Sequence, residues 1–338
     1  MYGDRLDINH AITMRILKVS LLVLLFLKTA LLAHAEVPNA LHKFDNLKLP
    51  AASEYESIDY WDSLILGLIE GITEYLPISS TGHLIITNEI LGLNSDTPIS
   101  ETKTLKDAAF AYAIIIQAGA ILAVIFLYRN TLFEILMGFL GKNQKGRKLG
   151  IHLIVAFLPA AIIGLSLSDL IEHHLGDNIL AIALALFIGG LVMLFTERKQ
   201  KKSLPRNASN DLSDLNCKKA LLIGFAQCSA LWPGMSRSMA TIVGGYWVGL
   251  SPNKAAEFSF LLGLITLSAA SAYKVVTDGS MLIETMNIGP ILLGILVAFI
   301  AAIYSIRFLV SCLTHYGLSP FAWYRFALSI FLILFLFI

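Results

Sequence analysis

Two apolar stretches of the chain are each interrupted by a proline and a cluster of polar residues, and this pattern restricts the possible folds. The first interruption extends from Glu70 to His83, and the second extends from Trp232 to Ser238. A charged side chain at the centre of a membrane helix costs about 2.5–3.5 kcal/mol, so such residues are rare and usually functional. Both interruptions are therefore candidate functional sites, provided that the flanking stretches lie in a membrane.

The composition places the flanking stretches in a membrane. Hydrophobic residues make up 56% of the 338 residues and charged residues only 14%, whereas soluble domains carry about 25% charged residues. The apolar runs are continuous rather than alternating, which is typical of helices and not of membrane barrels. The sequence therefore predicts an all-α polytopic membrane protein. The net charge is only +1 and the basic residues fall in membrane-flanking loops, so no nucleic acid is expected as a partner.

The amino-terminal region has the features of a targeting segment. A basic segment precedes an apolar stretch from Val19 to Leu27, and Ala33 to Ala35 resembles a signal-peptidase cleavage site. Residues 1–35 are therefore predicted to be a signal peptide or an uncleaved signal anchor, and a start at Met14 is a further alternative. Residues 36–62 are predicted to form a periplasmic tether.

Ten apolar segments follow, and their lengths fall into two groups. Six are close to the roughly 20 residues that a membrane span requires, and they are residues 108–128, 149–170, 179–195, 255–273, 288–310 and 321–338. The other four form two short pairs, residues 63–76 with 79–93 and residues 220–231 with 238–250. Short pairs joined by a break are typical of re-entrant helical hairpins. The sequence predicts six transmembrane helices plus two re-entrant hairpins.

The two hairpins resemble each other in sequence. A constant shift of 157 residues pairs Gly67 with Gly224, Glu70 with Gln227, Ser79 with Ser236, Ile85 with Ile242, Gly92 with Gly249 and Leu93 with Leu250. We interpret this as an inverted-topology repeat, with chance similarity between apolar segments as the alternative. The predicted membrane domain covers residues 63–338, with repeat one at 63–195, a cytoplasmic linker at 196–219 and repeat two at 220–338.

Loop charges predict the orientation. The loop from Arg129 to Lys148 carries five basic residues, and the loop from Glu197 to Lys219 carries seven basic residues against three acidic ones. Loops rich in lysine and arginine remain in the cytoplasm. The ends of the first hairpin should then lie outside the cell membrane, and those of the second hairpin inside.

The first interruption carries two carboxylates that can act together. Glu70 and Glu74 are four residues apart and share one helix face, with about 5–6 Å between them. In a low dielectric two such carboxylates repel, so they need a shared proton or a cation between them. A hard divalent ion, Mg²⁺ or Ca²⁺, fits oxygen ligands of this kind. Glu70 and Glu74 are therefore predicted to bind metal, with a structural hydrogen-bonded pair as the alternative.

Hydroxyl groups stand at the predicted start of the second helix of each hairpin. They are Ser79, Ser80 and Thr81 in the first, and Ser236 and Ser238 in the second, with Arg237 between them. Hydroxyls at these positions cap free N–H groups, and the helix amino end also attracts anions. Arg237 can bind phosphate oxygens through two parallel hydrogen bonds. Phosphate binding is therefore predicted, with capping and an ion pair of Arg237 with Glu70 or Glu74 as the alternatives.

These groups together suit phosphoryl transfer, which depends mainly on positioning and on stabilisation of charge. The hydroxyl groups are candidate nucleophiles. His83 lies three residues after Ser80 and could exchange protons with it. Thr241, one helical turn after Arg237, could bond a phosphate oxygen or its own backbone.

The motifs resemble those of the undecaprenyl-diphosphatase (bacitracin-resistance) family. The residues that carry the resemblance are Glu70 to Glu74, Pro77, Ser79 to His83, Pro233 to Ser238, Ala255 to Phe260, Pro320 to Ala322 and Tyr324 to Phe326. The resemblance implies an enzyme of the inner membrane that hydrolyses undecaprenyl diphosphate to the monophosphate at the periplasmic side, with a divalent metal. It would recycle the lipid carrier of peptidoglycan. The resemblance implies that the family's functional positions fall on Glu70, Glu74, Ser80, His83, Arg237 and Thr241, with Ser80 as the candidate nucleophile.

Two features depart from the family pattern. Met239 follows the second motif where the family usually has glycine, and an extension precedes Asp59. Neither removes a reacting group. A transporter or flippase of the prenyl phosphate carrier is the alternative function, because inverted repeats with helices broken at mid-membrane are frequent in transporters. A homodimer is a possible assembly.

Overall fold

The computed structural model describes residues 58–100, 103–175, 178–203, 211–212, 215–284 and 288–335, and most of them are helical. In chain order the elements are α1 (Tyr60–Thr73), α2 (Ser80–Ile90), β1 (Pro98–Ser100), β2 (Lys103–Thr104), α3 (Leu105–Leu127), α4 (Arg129–Phe139), α5 (Gln144–Leu175), α6 (Ile179–Ser203), α7 (Cys217–Cys228), a 3₁₀ turn (Ser229–Leu231), α8 (Arg237–Trp247), α9 (Pro252–Glu284), α10 (Ile288–Tyr316) and α11 (Ser319–Phe335). The all-α fold class is confirmed. The predictions for residues 1–35, and for the tether up to residue 57, lie outside the described residues.

Five of these helices are long and apolar enough to cross a membrane. They are α3, α5, α6, α9 and α10, and their apolar windows have a mean hydropathy between 1.5 and 2.7. The sixth predicted span corresponds to α11, which is apolar but has only 17 residues, and its predicted end at Ile338 lies beyond the described part. A multi-pass membrane protein is confirmed, whereas the count of six spans stays a prediction.

Helices extend past three of the predicted domain bounds, which stay predictions. Helix α1 begins at Tyr60, inside the predicted tether, because Asp59 caps it and accepts hydrogen bonds from the backbone N–H groups of Trp61 and Asp62. Helix α6 continues to Ser203 and α7 begins at Cys217, so both extend into the predicted linker at 196–219. Apolar content marks where the chain is buried, but helices extend beyond it into polar sequence.

Helix α4 and the strand pair were not predicted. Helix α4 lies in the stretch that the sequence marked only as a basic loop. It packs closely on α5 at two glycines, since a Cβ atom on Gly138 would lie 2.1 Å from the backbone nitrogen of Arg147. Phe133 and Phe139 are exposed on α4. An 11-residue helix of this kind depends on its packing, because short helices are marginal alone.

The two halves pack on each other reciprocally. Helix α1 of the first half lies against α10 of the second, and α7 of the second lies against α5 of the first. Both contacts use glycines related by the 157-residue shift: a Cβ on Gly67 would lie 2.6 Å from the carbonyl oxygen of Gly294, and one on Gly224 would lie 2.4 Å from that of Ala156. This exchange of partners is expected of a duplicated fold, in which each hairpin is held by the opposite half.

Each hairpin contains a short non-helical segment between its two helices. We call residues 74–79 the first break and residues 232–236 the second break. Ser79 and Ser236 end them with φ angles of 75° and 71°, the only described non-glycine residues with positive φ. Their hydroxyl oxygens accept hydrogen bonds from the backbone N–H groups of Gly82 and Met239, each at 3.3 Å. Strained backbone of this kind costs about 1–3 kcal/mol and is concentrated at functional sites.

Candidate active site

The two breaks meet through an ion pair. Arg237 begins α8 just after the second break, and its Nη2 donates to Oε1 of Glu74, in the first break, at 2.7 Å. The two side chains are 11% and 6% exposed, so the pair is shielded from solvent. Removing one partner of a buried pair leaves an uncompensated charge. The ion pair that the sequence offered as an alternative for Arg237 is therefore present, with Glu74 as the partner.

Glu74 also contacts the candidate nucleophile. The hydroxyl of Ser80 donates to Oε2 of Glu74 at 2.6 Å. One carboxylate therefore joins a hydroxyl from the first half to a guanidinium from the second. A carboxylate within hydrogen-bond reach of a hydroxyl has the geometry required of a general base. Ser80 is half-buried.

His83 does not make the contact expected of it. Its Nδ1 lies 2.6 Å from the carbonyl oxygen of Ser79, and its Nε2 lies 2.7 Å from the hydroxyl oxygen of Tyr324. Because a carbonyl only accepts, Nδ1 carries a proton, and in the neutral ring Nε2 then accepts from Tyr324. Both ring nitrogens are occupied. The structure thus pairs Ser80 with Glu74 rather than with His83, and His83 holds the strained carbonyl of Ser79.

Tyr324 is a site residue that the sequence interpretation missed. It begins the segment Tyr324 to Phe326, which carries part of the family resemblance, but the sequence predicts no role in the site for it. In the structure it hydrogen-bonds His83 and its ring lies nearly parallel to the imidazole, with 5.6 Å between centroids. The two residues are 241 positions apart, so no local pattern links them.

Glu70 is buried next to this network and has no hydrogen-bond partner among the residues that the structure describes. Both of its carboxylate oxygens are unpaired within the described part of the chain, and Glu74 and Arg237 are the charged groups that act on it. A buried carboxylate without a partner needs a proton or a cation. No group of three or more histidine, cysteine, aspartate or glutamate side chains among the described residues could hold a metal. A divalent ion at Glu70 would therefore need water and phosphate as further ligands, which is usual for Mg²⁺.

The guanidinium of Arg237 is held from several sides. Its Nη1 donates to the carbonyl oxygen of Ser259 at 3.2 Å, and its Cζ lies 5.5 Å from the ring centroid of Tyr75. Gly263 leaves the room it needs, because a Cβ atom there would lie 2.0 Å from Nη1. The Nε atom is buried and has no partner among the described residues. The guanidinium of Arg237 is therefore held in a fixed orientation, and its Nε–H remains unpaired within the described residues.

All the other predicted phosphate-binding hydroxyls except that of Thr81 form hydrogen bonds within the protein. Ser238 donates to the carbonyl oxygen of Leu76 at 2.8 Å and lies 3.1 Å from the hydroxyl of Ser236. Thr241 bonds the backbone of Arg237 at 2.9 Å, as its structural alternative required, and the hydroxyl of Ser259 at 2.6 Å. Ser79 and Ser236 cap their helices. Thr81 is exposed and stands apart from this network. Phosphate binding by these hydroxyls stays a prediction.

Comparison with known proteins identifies relatives of the chain. The family described as bacitracin resistance protein BacA matches residues 63–331. A protein named undecaprenyl-diphosphatase from Sorangium cellulosum is 41% identical over 272 residues, which is 80% of this chain and 84% of that protein. Proteins of that name from Ectopseudomonas mendocina and Chromobacterium violaceum are 39% and 41% identical, cover 81% and 79% of this chain, and match 94% and 93% of their own lengths.

Proposed function

The chain belongs to the bacitracin resistance protein BacA family, and we propose that it hydrolyses undecaprenyl diphosphate to undecaprenyl phosphate and inorganic phosphate. The relatives named above carry the name of that activity. The observation that supports it most is the contact of Glu74 with both Ser80 and Arg237. Recycling of this lipid accounts for bacitracin resistance and links the protein to peptidoglycan synthesis.

The hydroxyl of Ser80 is the proposed nucleophile. It attacks the terminal phosphorus while Glu74 accepts its proton, a P–O–P bond breaks, and undecaprenyl phosphate leaves. Water then attacks the phosphoserine, Glu74 returns the proton to Ser80, and inorganic phosphate is released. Arg237 stabilises the charge that spreads over the equatorial oxygens, and it does so once phosphate displaces part of its bond to Glu74. Direct attack by water that His83 activates is the alternative route.

Glu70 would hold the divalent metal, with Glu74 beside it. Its two buried carboxylate oxygens have no partner in the described part of the chain, and oxygen ligands suit Mg²⁺ or Ca²⁺. When bound, the metal would neutralise charge on the phosphate oxygens and so favour both substrate binding and phosphoryl transfer. A metal held by Glu70 would add positive charge to that of the Arg237 guanidinium, which would favour binding of the diphosphate.

Phosphate release from undecaprenyl diphosphate by the purified protein in detergent tests the function. Detergent removes the two sides of the membrane, so lipid movement alone produces no phosphate. We expect release with Mg²⁺ or Ca²⁺, its loss with chelator, and its near-complete loss in Ser80→Ala. Ser166→Ala is the matched control, since it removes an exposed hydroxyl that bonds only within α5. Lipid translocation without phosphate release would support the flippase, which the names of the relatives do not favour.

The inner membrane is the proposed location, with the site open to the periplasm and a homodimer as a possible assembly. The basic loops that flank the spans support the orientation. Thr81 is exposed at the start of α2, so Thr81→Cys in a background without Cys217, Cys228 and Cys312 reports sidedness. A membrane-impermeant maleimide should label it from outside the inner membrane. Labelling only after the inner membrane is opened would reverse the orientation.

A further inference from the structure

Arg325 is a fully buried arginine whose hydrogen bonds all go to backbone carbonyls. It lies on α11 and is 0% exposed. Its Nε donates to Leu186 O at 3.0 Å, and its Nη2 donates to Ala185 O at 3.0 Å and to Gly234 O at 3.1 Å. Its Nη1 reaches Pro77 O at 3.4 Å. No carboxylate in the described ranges forms an ion pair with it, which is unusual for a buried charge.

Two of the four carbonyls are equivalent in the duplicated fold. The 157-residue shift that aligns the hairpins pairs Pro77, in the first break, with Gly234, in the second. One guanidinium group therefore donates hydrogen bonds to the equivalent backbone carbonyl of each break. The other two carbonyls belong to α6, so the breaks are tied to a membrane-spanning helix as well as to each other. Ser238 also bonds both breaks, through Leu76 O and the hydroxyl of Ser236. Among the described side chains, however, Arg325 alone donates to a backbone carbonyl of each break.

The surrounding sequence leaves room for this arginine. Gly189 lies on α6, one turn beyond the two carbonyls, and a Cβ atom there would lie 2.2 Å from Nη2 and 2.8 Å from Cζ of Arg325. The neighbouring residue on α11, Tyr324, bonds His83, which in turn holds the carbonyl of Ser79. Two successive residues of α11 therefore fix the backbone of the first break.

We propose that Arg325 is a positioning residue that sets the separation of the two breaks, so that Glu74 and Arg237 meet across them. The proposal rests on the proposed function, because that contact is the core of the phosphatase site. Glu74 belongs to the first break and Arg237 directly follows the second. A shift between the breaks would change the distance between the carboxylate and the guanidinium, which is 2.7 Å in the structure.

The shape of the guanidinium matters as much as its charge. Arginine presents five N–H donors in a rigid plane, whereas lysine presents three on a compact ammonium group. Lysine at position 325 keeps the charge but cannot bond four carbonyls spread over two breaks and α6. Arg325→Lys therefore separates positioning from a general need for a buried cation. Gly189→Ala displaces the guanidinium without changing Arg325, and Arg307→Lys, at an exposed arginine of α10, is the matched control.

The experiment measures kinetics and backbone exchange on the same purified proteins. For Arg325→Lys we expect kcat to fall roughly 100-fold, the loss that a misplacement of about 1 Å causes, with little change in KM. Gly189→Ala should reduce kcat in the same direction, and Arg307→Lys should have no effect. Wild-type kcat in Arg325→Lys would overturn the proposal. If Arg325→Lys does not fold, Gly189→Ala decides alone, and wild-type kcat in that variant overturns the proposal.

Amide hydrogen exchange of the same variants needs no substrate. The backbone N–H groups of Gly82 and Met239 are equivalent reporters, since each bonds the serine that ends its break. In Arg325→Lys and Gly189→Ala, exchange should rise at both reporters together. A rise at one break alone, or only within α6 and α11, would contradict the proposal. If wild type releases no phosphate but exchange follows this pattern, the proposed function fails and the positioning role stands.

Discussion

The two breaks end in the same backbone conformation but carry different side chains. Each ends in a serine with positive φ that caps the following helix in the same way. Ser80 and Arg237 directly follow these serines, so the 157-residue shift pairs the candidate nucleophile with the cation that faces it. One half supplies the acid and the hydroxyl, and the other supplies the positive charge. A nearly symmetric scaffold thus builds one asymmetric site.

Substitution of Glu74, the acid of the first break, should have the largest effect on activity. The second half has Leu231 at the equivalent position and so offers no carboxylate there to replace it. Glu74→Gln keeps the shape of the side chain but removes its charge and its capacity to accept the proton of Ser80. General-base catalysis contributes about 100- to 10,000-fold, so we expect kcat to fall about 1,000-fold. Phosphate release at saturating substrate measures this. A loss of less than tenfold would mean that Glu74 only holds Arg237 in place.

Glu70 and Gln227 are equivalent residues, but we expect their substitution to affect the Mg²⁺ dependence differently. Both are buried, and Gln227 has an unpaired amide nitrogen where Glu70 has two unpaired oxygens, within the described residues. Glu70→Gln makes the first half resemble the second, and we expect activity at low Mg²⁺ to fall by about 100-fold, the upper range for changes around a metal site, with partial recovery at high Mg²⁺. Gln227→Glu is the matched change, and it should leave the dependence on Mg²⁺ unaltered. An unchanged Mg²⁺ dependence in Glu70→Gln would place the metal elsewhere.

Among the described residues, the His83–Tyr324 contact has no counterpart at the second break, because Ala240 is there the equivalent of His83. Tyr324→Phe removes the hydroxyl that donates to Nε2 and keeps the ring. A neutral hydrogen bond contributes about 0.5–1.5 kcal/mol, so we expect kcat to fall by up to about tenfold. A loss as large as that of Glu74→Gln would instead give the Tyr324 hydroxyl a direct part in proton transfer.

Substitution of Met239 should have the smallest effect on activity. It is buried at the start of α8, while its equivalent in the first half is Gly82. Met239→Gly removes apolar packing and should lower the melting temperature, since deletion of a buried side chain of this size costs about 2–5 kcal/mol in soluble proteins. Phosphate release well below the melting temperature should stay within about twofold of wild type. A large change in kcat with an unchanged melting temperature would assign Met239 a role in the site.

The sequence predicted the parts of the site that depend on local pattern. The breaks, the serine caps and the shared face of Glu70 and Glu74 follow from proline, hydroxyl and carboxylate spacing. The ion pair of Arg237 with Glu74 was weighed because a buried charge needs a partner. These features required only helix geometry and the cost of polar groups in an apolar environment.

The direction in which a side chain points, and the contacts between residues far apart in the chain, could not be predicted from the sequence. His83 lies near Ser80 by spacing, but side chains on a helix point towards its amino end, so the ring reaches back to the carbonyl of Ser79 instead. Tyr324 and Arg325 act on breaks that lie about 90 to 250 residues away. Such contacts depend on how helices pack, and a single sequence records that packing only as apolar stretches and glycines.

The most direct test of a single site built from both halves is a double-mutant cycle on kcat/KM with Glu74→Gln, Arg237→Gln and the double variant, in the phosphate-release assay. Residues that act as one unit are strongly non-additive. The account predicts that the double variant is about as impaired as the more impaired single variant. Losses that multiply would contradict it, because the carboxylate and the guanidinium would then act independently.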